Sequence, residues 1–334
     1  MRQGTDKIAP MLSVLLSLLA CDPGETPVAP GTITTVMGTG DMGYNGGGGE
    51  AVDTWLYLPT TVSLALDGVP LVVDFNNMLI RELRDGKAIT VAGNALHEYS
   101  VPGNAALDSP LENPFDARYG SDGLLYILPN HENRLLRVNR EGVIEVIAGT
   151  GDEGYSGDGG DCLFATFGQP GSFDIDADGV IWVADTLNYA LRRVGADGIV
   201  TTVVSDLGQP QRVRVFDGAV YVTDELLGAI IRYDPISAEV TTELEGLSIP
   251  WGVEFTADGT MYVADSGNNQ VLKVSRGDVE VVAGTGEGGF SGDGGLAVDA
   301  ELDWPADIAI TSAGEIYIAD MRNARVRMIS APAD

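Results

Sequence analysis

With 49 acidic against 19 basic residues, this 334-residue chain carries a formal charge of −30, a surface that repels phosphate backbones and anionic headgroups. Nucleic acid is therefore not an expected partner, and a membrane is expected only through a lipid anchor. The 44 glycines with few aromatics suggest low complexity, but they fall at repeating positions, which argues against disorder.

The N-terminus reads as a processing segment. Arg2 and Lys7 precede an apolar run from Ile8 to Ala20, too short to cross a bilayer as a helix. The run ends Leu18-Leu19-Ala20-Cys21, which resembles the lipobox of bacterial lipoproteins. That resemblance implies a signal peptide over 1–20, lipidation of Cys21, and a membrane-anchored lipoprotein of the bacterial cell envelope, periplasmic or at the cell surface. A secretory signal with a chance cysteine is the alternative. Residues 21–31 form a Pro-rich tether, able to hold the following domain about 30 Å from a membrane when extended. Cys162 is the one other cysteine, so no disulfide framework is expected.

From residue 32 to 334 the chain repeats. Leu71-Val-Val-Asp74, Tyr126-Ile-Leu-Pro-Asn130, Ile181-Trp-Val-Ala-Asp185, Tyr221-Val-Thr-Asp224, Tyr262-Val-Ala-Asp265 and Tyr317-Ile-Ala-Asp320 are variants of one phrase. The bare period is about 40 residues, and the longer steps carry an insertion of about 15. Each repeat predicts four short strands, a to d. In the third, a is Ser172–Ile175, b is Val180–Ala184, c is Ala190–Val194 and d is Ile199–Val204, with Asp-Gly turns after a and c. A proline stands ahead of each strand a, at 59, 114, 170, 210, 250 and 305, where no ladder donor is lost.

Six four-stranded units predict an all-β chain folded as a six-bladed β-propeller, each blade burying its faces on its neighbours. The last repeat stops after strand c, Arg325–Ile329. Ile33–Met37 reads as the missing strand d, so an N-terminal strand is expected to complete the C-terminal blade and close the ring.

Strand parity assigns the motifs to faces. The prolines, the b–c turns and the d–a connections share face 1, and the Asp-Gly turns share face 2. The insertions lie in d–a connections and so decorate face 1. Three match closely, Gly38 to Gly49, Gly149 to Gly160 and Gly284 to Gly295; a fourth, Gly93 to Ala106, is degenerate. They serve blades 1, 3, 6 and 2, leaving one side of the face, at blades 4 and 5, without a rim.

Asp185-x-x-Asn188-x-x-x-Arg192 after an Asp-Gly turn resembles the NHL repeat of the TolB-like six-bladed propeller superfamily. The resemblance covers residues 32 to about 330 and is specific for fold, not for activity. Related propellers include RNA- or protein-binding domains, a zinc-dependent peptide-amidating lyase and gluconolactonase-type metal hydrolases. The lyase needs three zinc histidines, and this chain has two.

Several motifs invite chemistry. Gly38-x-Gly40-x-x-Gly43 meets a dinucleotide fingerprint without the helix that gives it meaning, and reads as a tight loop. Asp158 and Asp293, in the Ser-Gly-Asp-Gly-Gly loops, are candidates for Ca²⁺ or for capping their own loops. Positions seven after the closing residue, Arg81, Arg137, Arg192 and Arg327, are expected to pair across the b–c hairpin. His97 and His131 fall on face 1 of blade 2, each before a glutamate, Glu98 and Glu132. Together with Glu132 they are the alternative catalytic or zinc set, although exposed loop histidines are usually just solvated.

The starts of the strands a line the channel. Two and four residues after the prolines lie Asp116, Arg118, Asp174, Arg212, Arg214, Glu254 and Asp307, alternating with apolar positions that pack between blades. They form either a self-neutralising ring or a ligand-binding mouth for an anion or carbohydrate, with Trp251 as a stacking surface. The leading expectation is a monomeric, non-enzymatic scaffold that binds a protein or small molecule through face 1, without a cofactor. The alternative is a metal-dependent hydrolase or lyase at the same face.

Overall fold

The structure is a computed structural model that describes residues 31–331. The expected signal peptide, the lipid site Cys21 and residues 22–30 of the tether lie outside the described residues. In chain order β1 (Ile33–Met37) leads into blade 1, made of β2 (Pro59–Leu64), β3 (Pro70–Asp74), β4 (Leu79–Arg84) and β5 (Lys87–Ala92). Blade 2 is β6 (Pro114–Tyr119), β7 (Leu125–Pro129), β8 (Leu135–Val138) and β9 (Ile144–Ala148). Blade 3 is β10 (Ser172–Ile175), β11 (Ile181–Asp185), β12 (Ala190–Val194) and β13 (Val200–Val204). Blade 4 is β14 (Pro210–Phe216), β15 (Ala219–Asp224), β16 (Ala229–Tyr233) and β17 (Val240–Glu245). Blade 5 is β18 (Pro250–Phe255), β19 (Met261–Asp265), β20 (Gln270–Ser275) and β21 (Asp278–Ala283). Blade 6 is β22 (Pro305–Ile310), β23 (Ile316–Asp320), β24 (Arg325–Ile329) and, from the other end of the chain, β1.

All six sheets are antiparallel meanders, the six-bladed propeller that the repeats predict. Closure occurs as expected: Ile33 stands opposite Ile329 and Thr35 opposite Arg327. Strands a and c of the third repeat match their expected limits, and b and d begin one residue later than expected.

Local chemistry explains the repeats. The a–b turn needs a left-handed residue, supplied by glycine in every blade, for example Gly179 at φ +78°. A second glycine follows strand d in blades 1, 2, 5 and 6. At Gly149 a Cβ would lie 2.4 Å from the carbonyl oxygen of Asn133, so only glycine lets strand d end against the b–c turn.

The core is divided among the blade junctions. Tyr126, Leu128 and Leu135 of blade 2 pack with Phe173, Ile181 and Val183 of blade 3, and similar clusters occupy the other junctions. Burial of a side chain such as Phe173 contributes about 1.5–3 kcal/mol relative to leaving it exposed. Those clusters make the ring rigid enough to hold polar groups in fixed positions around its axis.

Candidate functional site

Face 1 is built by the closing aspartates. Asp74, Asp185, Asp265 and Asp320 are buried, and each accepts an N–H from the residue two before its own blade's proline. The donors are Tyr57 at 2.8 Å, Gly168 at 2.7 Å, Ser248 at 2.7 Å and Asp303 at 2.8 Å. The residue immediately before proline then takes a left-handed backbone, for example +58° at Trp304. The a–b ladder shifts register just past the proline in blades 1, 2, 4, 5 and 6, which bulges Thr60, Phe115, Gln211, Trp251 and Ala306. A bulge re-aims its side chain, and at Phe115 and Trp251 it brings the rings of two blades to 5.7 Å from each other.

The same repeat phrase holds the Gly-rich insertions. Asn77, Asn188 and Asn323 donate to the carbonyls of Gly43, Gly154 and Gly289 at 2.6, 2.7 and 2.6 Å. Arg81, Arg192 and Arg327 are fully buried and pair with Asp74 (2.9 Å), Asp185 (3.4 Å) and Asp320 (3.8 Å) across the b–c hairpin. Arg137 departs from that expectation: Asn130 offers it no charge, and it pairs instead with Glu145 of β9 at 2.8 Å. Each insertion lays an aromatic ring over its arginine, Tyr44 on Arg81, Tyr155 on Arg192 and Phe290 on Arg327. Asp158 and Asp293 point at Arg192 and Arg327, at 2.8 and 2.6 Å. Their carboxylates therefore face guanidinium groups, and no three His, Cys, Asp or Glu side chains converge as a metal site among the described residues.

The channel residues form one network. Arg212 reaches from blade 4 across the axis to blade 1, donating to Thr61 Oγ1 and the Thr60 carbonyl, both at 3.0 Å. On the way it stands 3.3 Å from Asp116 and 3.4 Å from Asp307. Arg118 pairs with Asp116 (3.2 Å) and Asp174 (2.9 Å), and Arg214 with Glu254 (3.0 Å) and Asp307 (3.7 Å). All three arginines are buried, so their guanidinium groups are engaged within the ring. The two central carboxylates differ. Burial alone would push Asp116 up, but Arg118, Arg212 and Arg214 hold it well below the usual carboxylate range. Asp307 makes no hydrogen bond through either oxygen, and burial pushes it up to about 6 despite Arg212 and Arg214.

Above this network lies an aromatic layer that sequence reasoning reached only at Trp251. The Phe75 and Phe115 ring centroids are 5.7 Å apart, Phe115 and Trp251 5.7 Å, and Trp251 and Trp304 5.6 Å. All four are half-buried, and Trp55, Tyr57 and Tyr189 in the connections of face 1 are exposed. Glu225 is a polar handle beside the layer, whereas the Trp304 indole nitrogen is buried. Glu225 accepts from Trp251 Nε1 (3.2 Å) and Gln211 Nε2 (2.8 Å), and Trp304 Nε1 has no acceptor. Phe115 was findable, since it and Trp251 are the two aromatics that directly follow a strand a proline.

His97 and His131 do meet on face 1, on a carboxylate that the sequence did not single out. Their Nδ1 atoms lie 2.8 and 3.7 Å from opposite oxygens of Glu112. Glu132 is elsewhere engaged: it is buried and accepts from the backbone N–H groups of Ser100 (2.8 Å) and Glu112 (3.1 Å) and from Ser100 Oγ (2.5 Å). It performs in blade 2 the N–H capture that a closing aspartate performs elsewhere, because Asn130 cannot. Burial pushes its carboxyl upward.

The model of the Teneurin NHL domain family matches residues 30–219. Human Teneurin-1 is 24% identical over 369 residues, an alignment that spans 90% of this chain and 13% of that protein's length. An auxiliary nutrient binding protein from Bacteroides ovatus superposes with a TM-score of 0.69 at 14% identity, over 90% of this chain and 76% of its own. A gluconolactonase from Xanthomonas campestris superposes with a TM-score of 0.61 at 13% identity, over 90% of this chain and 89% of its own. At such identities these structures share the fold.

Proposed function

We propose that this chain, which belongs to the Teneurin NHL domain family, is a non-enzymatic binding scaffold whose ligand rests on the aromatic layer of face 1. The carrying observation is the continuous set Phe75, Phe115, Trp251 and Trp304, left half-exposed over a channel whose charges are already paired. Such a layer suits a ligand with a flat apolar face, a peptide side chain or a sugar ring, oriented by Glu225. The nutrient-binding description of one structural neighbour supports a binding role. The test is an array of saccharides and peptides probed with the chain and with its Trp251→Ala and Trp304→Ala variants. Retention of every signal by both variants would overturn the reading.

The lipobox-like Leu18 to Cys21 supports anchoring to a bacterial cell envelope through lipid on Cys21. Mass spectrometry of the mature N-terminus tests it, as does release of a Cys21→Ala variant from the membrane fraction.

A second reading rests on the convergence of His97 and His131 on Glu112. In it the chain is a metal-dependent hydrolase or lyase working on the same face, and these three side chains, which do not form a metal site as they stand, would have to rearrange around the ion. Stoichiometric metal in the purified protein, with chelator-sensitive turnover of lactones or esters, would favour this reading over the scaffold.

A further inference from the structure

The outer strand of a propeller blade ordinarily leaves one row of backbone N–H and C=O groups unpaired. Here the insertions cover that row in four blades. Gly48 and Gly49 exchange hydrogen bonds with Ala88 of β5 at 2.9 and 3.0 Å. Gly103 and Asn104 do so with Ile144 of β9, both at 2.9 Å, and Gly159 and Gly160 with Val200 of β13 at 2.8 and 3.1 Å. Gly294 and Gly295 treat Ile33 of β1 the same way, at 2.8 and 3.0 Å. Each insertion is thus a fragment of a fifth strand on its own blade.

Blades 4 and 5 have no such fragment among the described residues. On blade 5 the 3-10 turn Ala297–Asp299, from the neighbouring insertion, packs against β21. On blade 4 no 3-10 turn packs closely on β17 among the described residues, and Val240, Thr242, Glu243 and Glu245 are exposed. The charged residues of β17 are Glu243 and Glu245, with Glu239 just before it and no lysine or arginine within it.

We propose that the outer edge of β17 is a docking site for an extended, lysine- or arginine-bearing segment of another protein, which adds to blade 4 as its fifth strand. The other blades establish that these sheets accept a fifth strand on the outer edge. Charge selects the occupant. A second copy of this chain would set acidic residues against the same acidic residues, within a net charge of −30 on each partner. A basic strand would place cations opposite Glu243 and Glu245, where cross-strand pairs of opposite charge stabilise. This site is on the rim and is independent of the ligand proposed for face 1.

The probe is a fluorescent octapeptide that alternates lysine with valine or threonine. Its control has the same charge but two central prolines, which remove ladder donors. The full chain should bind the first peptide and not the second, and amide hydrogen exchange over 240–245 should slow on binding. Changing Glu243→Lys and Glu245→Lys together should weaken binding by about tenfold or more. The matching pair on β21, Asp278→Lys with Glu280→Lys, should leave it unchanged. Equal binding of the proline peptide, equal loss with the β21 pair, or unchanged exchange over 240–245 would overturn the proposal. The exchange measurement uses the unaltered chain, so it decides the matter even where a variant fails to fold.

Discussion

Phe115 and Trp251 come from opposite blades of the ring, yet their ring centroids lie 5.7 Å apart, so they meet over the axis and roof the channel. Beneath them Arg212 spans a second of the three diameters, from blade 4 to Thr60 and Thr61 of blade 1. Two cross-braces therefore join blades that no sheet or blade junction connects. The roof is also the surface proposed to take a ligand, so binding there would act on a part of the molecule that ties the ring together.

The first prediction separates these two roles of the roof. Trp251→Ala removes contacts with both Phe115 and Trp304, and should cost about 1–3 kcal/mol of stability from lost aromatic pairing and burial. A Trp251→Phe variant keeps most of the contact and should recover most of the melting temperature. Ligand binding should fall with alanine and return in part with phenylalanine. Thermal unfolding and titration of whichever array ligand is found provide the two readings.

A second prediction concerns the brace below. Arg212→Ala leaves Asp116 and Asp307 buried with less compensation, and breaking a buried pair in this way costs about 3–5 kcal/mol. Arg212→Ala should therefore lower the unfolding midpoint clearly, as a ring of paired charges requires and a free anion-binding mouth does not. In a double-mutant cycle, Asp307→Ala should cost less on top of Arg212→Ala than alone. Additive losses would mean that the two side chains do not interact.

Asp307 also gives the stability a pH dependence with a defined sign. Burial raises its folded pKa to about 6, above the ordinary aspartate value of 3.8. A raised folded pKa means the native state holds the proton more tightly, so stability grows as pH falls from about 7 toward 4 and is lost again as pH rises through 6. The general relief of negative charge on acidification has the same sign, so the variant matters. Asp307→Asn should reduce the slope of unfolding free energy between pH 5 and 7 without abolishing it, because burial raises Asp320 to about 7, and an unchanged slope would assign that dependence to other groups.

How much of this is legible in the sequence depends on the range over which each feature acts. Blade count, strand limits and ring closure follow from local phrases such as Tyr262-Val-Ala-Asp265 and from the orphan strand Ile33–Met37, each carrying its own turn chemistry. The placement of the insertions is legible too: the blades with the three full insertions have Arg81, Arg192 and Arg327, whereas Ile231 and Leu272 stand at those positions in blades 4 and 5. What the repeats hide is contact across the axis. Nothing near Arg212 in the chain points to Thr61, and nothing near Phe115 points to Trp251. Glu132 misled for a related reason. Its neighbour His131 suggested chemistry, but its work is set by the missing aspartate at Asn130, two residues away.

The last prediction comes from a repeat that lacks one of its parts. Asp158 and Asp293 each bind the buried arginine of their own blade, and Gly47 is the corresponding residue of the first insertion. In blade 1 Arg81 accordingly keeps Nη2 buried without a hydrogen-bond partner. Gly47 does not use a left-handed backbone, and a Cβ there would stand 3.2 Å from Thr90 Oγ1. Blade 3 has a threonine in the same register, Thr202 opposite Arg192, and accommodates Asp158 beside it. Gly47→Asp should therefore complete the blade 1 site and raise stability by about 1–2 kcal/mol, the worth of a charge-assisted hydrogen bond less the cost of fixing the side chain. The reverse change, Asp158→Ala, should lower stability by about 1–3 kcal/mol because Arg192 loses a partner it holds at 2.8 Å. Gly47→Asn supplies an acceptor without the charge and should give a smaller gain. Melting temperatures of the three variants, measured above pH 6 where the aspartate is ionised, decide the matter. If Gly47→Asp leaves the midpoint where it was while Asp158→Ala lowers it, the unpaired Nη2 of Arg81 is already satisfied by water.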